Sequence, residues 1–559
     1  MPKAPEEAPD IQSLVEASRD QILRNIQSHS ERDLLCAYRR FIPRSSLRDI
    51  LTRHKVESHL SLSLPDAELS IRLAAQIAPE GNQKCHCQKD ACTGGRIIFA
   101  SLLRIGREDY IQCVIDQSSA KLCDSTLPLK ADELQVQPGI PKLSGKEWQL
   151  LENAQWQIRS HYLSSLSLDV DKVVELDDGA ALPLTDIRNI SVQEDQVGSS
   201  HKVSRVTIHS GHHQLDYEQG GGSDVFVLKT FRHSDFPGLA EADFKAELRA
   251  NQQAPQHDRI VPLLTAFKFG DGFHLIFPYA TDGDLHNLWR TFNVSDDNHG
   301  IHWYSPRWLL TQCCGIAEAL VAMHQPNLND NARWVPQLHA DIKSNNILCF
   351  RDARNEFCLK LADFGISRTA SDDLTLDCSH VEHTNTYRPP EYDTEERISL
   401  KYDVWSLGCL YLEFITWAIS GYNAIDTFSR QRLSEKSDKR TSKAKGGDTE
   451  DTFFKKLTYL PSYDLSGLRI RAWRQSIEVI TRNTTRSWRS FRISRGELNV
   501  SCKIKDSVKE HIKNLQTKHR LIAEFLKITE TKMLVVEVDQ RASSSEVARL
   551  LQNLSDSGL

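Results

Sequence analysis

Apolar positions recur at helical spacing from residue 11 to about residue 78: Leu14, Ile22, Leu23 and Ile26, then Leu34, Leu35 and Tyr38, with polar faces between them. A stripe that returns every three to four residues is what burying one helix face requires. The pattern breaks at GNQKCHCQKDACTGG and resumes in RIIFASLLRIGREDYIQCVI, which reads as one buried helix followed by a second. An α-helical accessory domain is therefore predicted over 1–153. Between 154 and 195 no period is sustained and Asp, Gly and Pro punctuate the chain, so this stretch reads as a connector laid on the next domain.

Past residue 196 the pattern changes to short β-rich runs, VSRVTIH, then DVFVLKTF after a GGGS turn, then FHLIFPYA. These predict an antiparallel sheet. Beyond His286 come longer helical stretches, WLLTQCCGIAEALVAMH and DVWSLGCLYLEFITWAI. Strands first and helices after predict an α+β domain over 196–553 with two lobes, the smaller over about 196–283 and the larger over about 284–553. The segment SRQRLSEKSDKRTSKAKGGDTED is poor in apolar residues and reads as a mobile insertion.

Composition narrows the picture. At 559 residues, 40% hydrophobic and 26% charged, the chain has enough apolar residues for more than one core, which excludes wholesale disorder. A net charge of -6 supplies no global basic field, so membrane binding is not expected and nucleic-acid binding is disfavoured. The start MPKAPEEAPD lacks a basic, then apolar, leader, and no stretch reaches about 18 uninterrupted apolar residues, so a soluble cytoplasmic protein is expected, with the nucleus as the other intracellular option. Thirteen cysteines, odd in number and sparse, fit a reducing compartment better than a disulfide framework.

The candidate chemistry lies between Lys229 and Asp403. HADIKSNNIL places Lys343 and Asn346 two and five residues after Asp341, and LADFGIS places Asp363 twenty-two residues after it. Moving a phosphoryl group to a hydroxyl needs a carboxylate to orient the hydroxyl and accept its proton, a cation on the migrating group, and oxygens to hold metal beside a triphosphate. Asp341, Lys343, Asn346 and Asp363 supply these groups, and Ile342, Ile347 and Leu348 between them can anchor the loop to a core.

In this order the motifs resemble those of the eukaryotic protein kinase family. HADIKSNNIL resembles the catalytic loop, Asp363-Phe364-Gly365 the magnesium-binding motif, Tyr387-Arg388-Pro389-Pro390-Glu391 the end of the activation segment, and DVWSLG the central helix of the large lobe, with Asp403 bracing the catalytic loop. FVLKTF is similar to the strand that presents the ATP lysine, here Lys229, and FKAEL offers Glu247 as its ion-pair partner. MLVVEVDQRASSSEVARLL resembles the family's last helices, with Arg541 the partner of Glu391. HLIFPYATDGDL resembles the last strand of the small lobe and the hinge, which implies a Phe277 gatekeeper, adenine contacts at the Pro278 carbonyl and the Ala280 amide and carbonyl, and a ribose contact at Asp284. The lysine two residues after Asp341 implies serine/threonine rather than tyrosine specificity, and Thr384 is similar to the residue that holds the Asp341 and Lys343 pair. The resemblance implies ATP and Mg as cofactors and protein hydroxyls as acceptors. The helical N-terminal region is left as a surface for a protein partner. The same combination, with IHSGHH, is also similar to uncharacterised fungal kinase-domain proteins.

Three departures qualify the resemblance. The glycine-rich loop, DQVGSSHKVSRVTIH, keeps only Gly198, and lost glycines weaken backbone approach to phosphates. Ala340 stands where many regulated kinases carry an arginine, so phosphorylation at Ser371, Thr375 or Ser379 is not expected to be required. The stretch 418–505 is much longer than the usual link between large-lobe helices. The competing reading is a pseudokinase-type nucleotide-binding scaffold that keeps this fold for interactions. Outside the kinase motifs, Cys85-His86-Cys87 with Cys92 lacks the second ligand pair of a zinc site, although Cys113 or Cys123 would complete one in space; reduced thiols in a turn are the favoured reading. The basic runs near 430–445 and 468–492 read as solvated surface, the second as a helix burying Ile470, Trp473, Ile477 and Ile480, and His212-His213 reads as a strand end.

Overall fold

A computed structural model describes residues 10–35, 39–81, 83, 85–88, 92–115, 122–129, 142–165, 173–190, 201–215, 217, 223–232, 237–292, 305–325, 335–352, 354–365, 367–369, 375–378, 384–395, 397–435, 450–459, 499–516 and 519–557. It divides into two compact units, 1–248 with 262–279, and 249–261 with 280–559.

The first unit opens with helices α1 (Ile11–Ser28), α2 (Arg44–Ile50), α3 (Arg53–Ser63), α4 (Ala67–Ile77), α5 (Arg96–Ile105), α6 (Ile111–Ile115) and α7 (Gly145–Ile158). Side-chain caps fix several starts. The Thr52 hydroxyl accepts from the Lys55 amide, the Asp66 carboxylate accepts from the amides of Glu68 and Leu69, and Ser144 with Glu147 forms a reciprocal capping box. Ile22 and Ile26 join a core with Leu60, Leu73, Phe99, Leu102, Ile111 and Leu151. The predicted stripe stops short, because α1 ends at Ser28 and residues 31–32 pair with 40–41 in a small hairpin. Leu34 and Leu35 are accordingly exposed, Leu14 is exposed within α1 itself, and Tyr38 lies outside the described residues.

A six-stranded sheet follows, built from β1 (Val174–Glu175), β2 (Leu184–Asn189), β3 (His201–Ile208), β4 (Val225–Phe231), β5 (Thr265–Phe269) and β6 (Gly272–Pro278) in the order β1-β5-β6-β4-β3-β2. Every pairing is antiparallel except β1 with β5. Two of these strands, β1 and β2, come from the stretch 154–195 that the sequence pattern assigns to a connector. A register shift between Leu184 and Asp186 interrupts the alternation of β2, and β1 is two residues long, so neither carries a legible period. Alternation in β4 sends Phe226 and Leu228 to a core with Val206, Ile208 and Ile276, while Phe231 packs with Phe244, Leu248 and Leu275 beneath helix α8 (Pro237–Gln253).

The second unit is mainly helical, with α9 (Leu285–Thr291), α10 (Pro306–His324), α11 (Glu391–Thr394), α12 (Lys401–Ser420), α13 (Tyr422–Ser434), α14 (Asp506–Gln516), α15 (Arg520–Ile528) and α16 (Ser544–Asp556). Strands β7 (Ile347–Arg351) and β8 (Phe357–Leu361) pair as a hairpin on its core. Helix α12 is buried around its whole circumference from Tyr402 to Ala418. Within 418–505, α13 and a strand pair of 454–459 with 499–504 are ordered parts of this unit; the second basic run and its four named apolar residues lie outside the described residues.

Candidate active site

Lys229 is placed by β4, where it stands opposite Leu275 of β6 and Val203 of β3. Its ammonium lies 2.8 Å from the Glu247 carboxylate of α8, with side-chain exposures of 7% and 3%. A buried pair of this kind holds each partner in one rotamer, because removal of either leaves an uncompensated charge.

The loop 339–346 is held from below. Asp403, in the first turn of α12 and fully buried, accepts from the amides of His339 at 2.8 Å and Ala340 at 2.9 Å, and its Oδ2 lies 3.0 Å from His324 Nε2. Ala340 is held at φ 67°, left-handed backbone that a non-glycine residue adopts only when its surroundings impose it. His339 Nδ1 accepts from the Asp341 amide at 3.3 Å while Nε2 donates to the Ala362 carbonyl at 3.2 Å, which fixes the tautomer and ties this loop to the one carrying Asp363. The Ala362 amide in turn donates to the Asn346 carbonyl at 2.9 Å. Asp363 has φ 66° and an exposed side chain, whereas Phe364 after it is buried in the core beside His339.

On this base four polar side chains converge. The Lys343 ammonium lies 2.7 Å from Asp341 Oδ2, Thr384 donates to Asp341 Oδ1 at 2.7 Å, and Lys343 also reaches the Thr384 hydroxyl at 3.3 Å. Asn346 Nδ2 donates to the Asp341 carbonyl at 2.8 Å and to its carboxylate at 2.9 Å. Because the nitrogen makes both bonds, the amide oxygen of Asn346 is turned away from Asp341. An amide oxygen and the exposed Asp363 carboxylate on two tethered loops are the hard oxygen donors that a small divalent cation takes, so these residues fit the metal that the motifs imply.

The other predicted positions fall as follows. Phe277 and Pro278 end β6, paired with Val227 and Phe226, and Ala280 is buried with its carbonyl accepting from the Gly283 amide at 3.1 Å. Asp284 caps α9, its Oδ1 accepting from Asn287 N at 2.7 Å. Glu391 and Arg541 form a fully buried two-pronged pair at 2.7 and 2.8 Å. Thr375 accepts from Arg397 Nε at 2.6 Å; Gly198, Ser371 and Ser379 lie outside the described residues.

Sequence reasoning missed the supports. Tyr387 donates to Glu413 at 2.6 Å, and Glu413 is reached by Arg432, which also holds Asp451. Burial pushes the Tyr387 hydroxyl and the Glu413 carboxyl above their ordinary ranges, the latter against the pull of Arg432 and Tyr387. Arg388 donates to Asn385, Asp393 and Glu450. Tyr387 and Arg388 stand in the motif at 387–391, but their partners Glu413, Arg432, Asp451 and Glu450 are scattered along the chain, and neither spacing nor periodicity marks them.

Residues 218–455 match the protein kinase domain family. Among curated proteins, the chain is 27% identical over 42% of its length to a G-type lectin S-receptor-like serine/threonine-protein kinase of Arabidopsis thaliana, covering 25% of that protein. It is 33% identical over 35% of its length to a probable LRR receptor-like serine/threonine-protein kinase of the same plant, covering 20% of it, and 29% identical over 35% to a probable protein kinase there, covering 53% of it. The chain thus spans from about a fifth to about half of the length of these relatives. Fold, motif order and family match agree on a protein kinase domain over residues 218–455, preceded by a helical region.

Proposed function

We propose that this protein is an active serine/threonine protein kinase that transfers the γ-phosphoryl group of ATP to protein hydroxyls. The observation that carries the reading is the Asp341 constellation. Its carboxylate is held by Lys343, Thr384 and Asn346 without being buried out of reach, so one oxygen can align an acceptor hydroxyl and take its proton. Lys343 offers positive charge for the migrating phosphoryl group. Lys229, locked by Glu247, is the proposed anchor for the α- and β-phosphates, and Asn346 with Asp363 the proposed Mg ligands. When bound, the cation would neutralise phosphate charge; the chain's own part is to present two oxygen donors from loops fixed by the bonds of His339 and Ala362. The last strand of the small lobe and the residues after it, Phe277, Pro278 and Ala280, are the proposed adenine contacts, with Asp284 at the ribose and Gly198 at the phosphates.

The reading assigns residues 1–153 to an accessory domain and 196–553 to the kinase domain, with β1 and β2 of the preceding stretch supplementing its sheet. Among the described residues no helix is long and apolar enough to cross a membrane; the proposed site of action is the cytoplasm. The glycine-poor loop favours a scaffold as the rival. Incubation of purified full-length protein with labelled ATP, magnesium and generic acceptor proteins separates the two. The kinase reading expects label on Ser or Thr from wild type and none from Asp363→Asn, whereas equal background from both, with nucleotide still raising the melting temperature, selects the scaffold.

A further inference from the structure

Cys85, Cys87, Cys92 and Cys123 meet in the helical part of the first unit, and their four Sγ atoms all lie within 4.8 Å of one another. Cys85, Cys92 and Cys123 are buried and Cys87 is half-buried. They form a cluster of their own with no aliphatic or aromatic member, unlike Cys113, which takes its place in the main helical core as a small apolar residue. From these observations we infer that the four thiolates bind a structural Zn²⁺ ion that pins Cys85, Cys87 and Cys92 to the segment 122–126.

Four sulfurs at about 2.3 Å from zinc form a tetrahedron with edges of about 3.8 Å, so the observed cluster needs to contract by about 1 Å or less to close on the ion. The sequence had withheld this reading because the spacing Cys-x-Cys-x4-Cys lacks a second pair. The fold supplies the fourth ligand from Cys123, thirty-one residues beyond Cys92.

The backbone around the ligands is built to hold them. Gln88 donates to the Cys85 carbonyl at 2.8 Å, with Gln88 at φ 54°, turning the chain tightly about Cys87. Asp124 N donates to the Gly94 carbonyl at 2.7 Å, and Asp124 Oδ1 accepts from the amides of Ile97 and Ile98 at 3.0 and 3.2 Å, so the segments carrying Cys123 and Cys92 share one clamp at the start of α5. Gly94 has φ 87°, and a Cβ there would stand 2.5 Å from the Ile77 carbonyl oxygen. Binding releases the four thiol protons to solvent and leaves a centre of charge -2, which favours cationic neighbours. The buried Arg96 guanidinium donates to the Thr93 carbonyl, next to Cys92 in the chain, at 2.7 Å, and the Ser125 hydroxyl, 3.1 Å from Cys123 Sγ, can donate to the thiolate. With all four positions filled by sulfur no site remains for water or substrate, so the role is structural.

Elemental analysis of the purified full-length protein tests this, together with zinc release measured by a chromogenic chelator as a mercurial titrates the thiols. The expected result is about one zinc per chain, released only as four thiols react. Exchange for Co²⁺ is expected to give the intense visible absorption of a tetrahedral thiolate centre. Cys123→Ser is expected to lose the metal and Cys502→Ser to keep it; the cobalt spectrum of the wild-type protein decides the matter if Cys123→Ser does not fold. A metal-free protein whose four thiols react freely in the native state would overturn the inference. So would iron with labile sulfide, or a disulfide among these cysteines found by mass spectrometry.

Discussion

Asp403 shows how one side chain determines the shape of a loop it does not belong to. Its carboxylate satisfies two successive amides and a histidine, and those bonds hold Ala340 in left-handed backbone. Asp403→Ala would leave these buried donors without an acceptor, at a cost of about 3 kcal/mol or more. We expect a lower denaturation midpoint and loss of phosphoryl transfer in the same variant, checked by denaturant titration and a labelled-ATP assay. Thr384→Ala removes only one of the bonds on Asp341. Its expected effect is a fall in kcat of tenfold or so with the melting temperature little changed, since the hydroxyl positions a carboxylate and fills no core. The residues with chemistry were legible because phosphoryl transfer demands particular groups in a particular order. His324, Glu413 and Arg432 were not, because a buried hydrogen bond between distant segments leaves no periodic trace.

Among elements, the contact of α2 with the short turn at 210–212 is sensitive to pH. His212 accepts from the Arg44 amide through Nε2 at 3.0 Å and faces the His161 carbonyl through Nδ1 at 3.2 Å, so a second proton has no place on the ring. Burial first, then the Arg44 charge, with His209 and His213 adding to it, lowers the His212 pKa to about 3; burial likewise lowers that of His161 to about 4. Unfolded rings take up a proton near pH 6.5, so stability is complete above about that pH and declines as the pH drops toward the folded values, by on the order of 2 kcal/mol per ring at about pH 5. Melting curves between pH 7.5 and pH 5 should show this slope, and His212→Gln should flatten it even though the variant starts lower. An unchanged slope would mean the ring is not buried neutral. At this scale the long helices α5, α10 and α12 were readable from their apolar runs. Edge strands β1 and β2 were not, since an edge position supported by pairing on one side tolerates a weak and interrupted pattern.

For the molecule as a whole, each compact unit holds a buried ion pair, Lys229 with Glu247 in one and Glu391 with Arg541 in the other. Arg541→Met strands the Glu391 carboxylate in a site 2% exposed, and a loss of about 3 to 5 kcal/mol is expected in equilibrium unfolding, with Glu391→Gln in the same chain restoring part of it. The α+β order was legible because, past residue 196, periodicity changes once, from short alternating runs to long helical ones. The cysteine centre was only half legible, since its fourth ligand is supplied by folding rather than by spacing. The central claim is that the chain phosphorylates protein hydroxyls and needs both Asp341 and Lys229 to do so. Its most direct test is transfer of label from γ-labelled ATP by wild type, Asp341→Asn and Lys229→Met, with circular dichroism confirming that each is folded. The account expects phosphoserine or phosphothreonine from wild type and a loss of at least about a hundredfold in either variant. Equal incorporation by all three would contradict it.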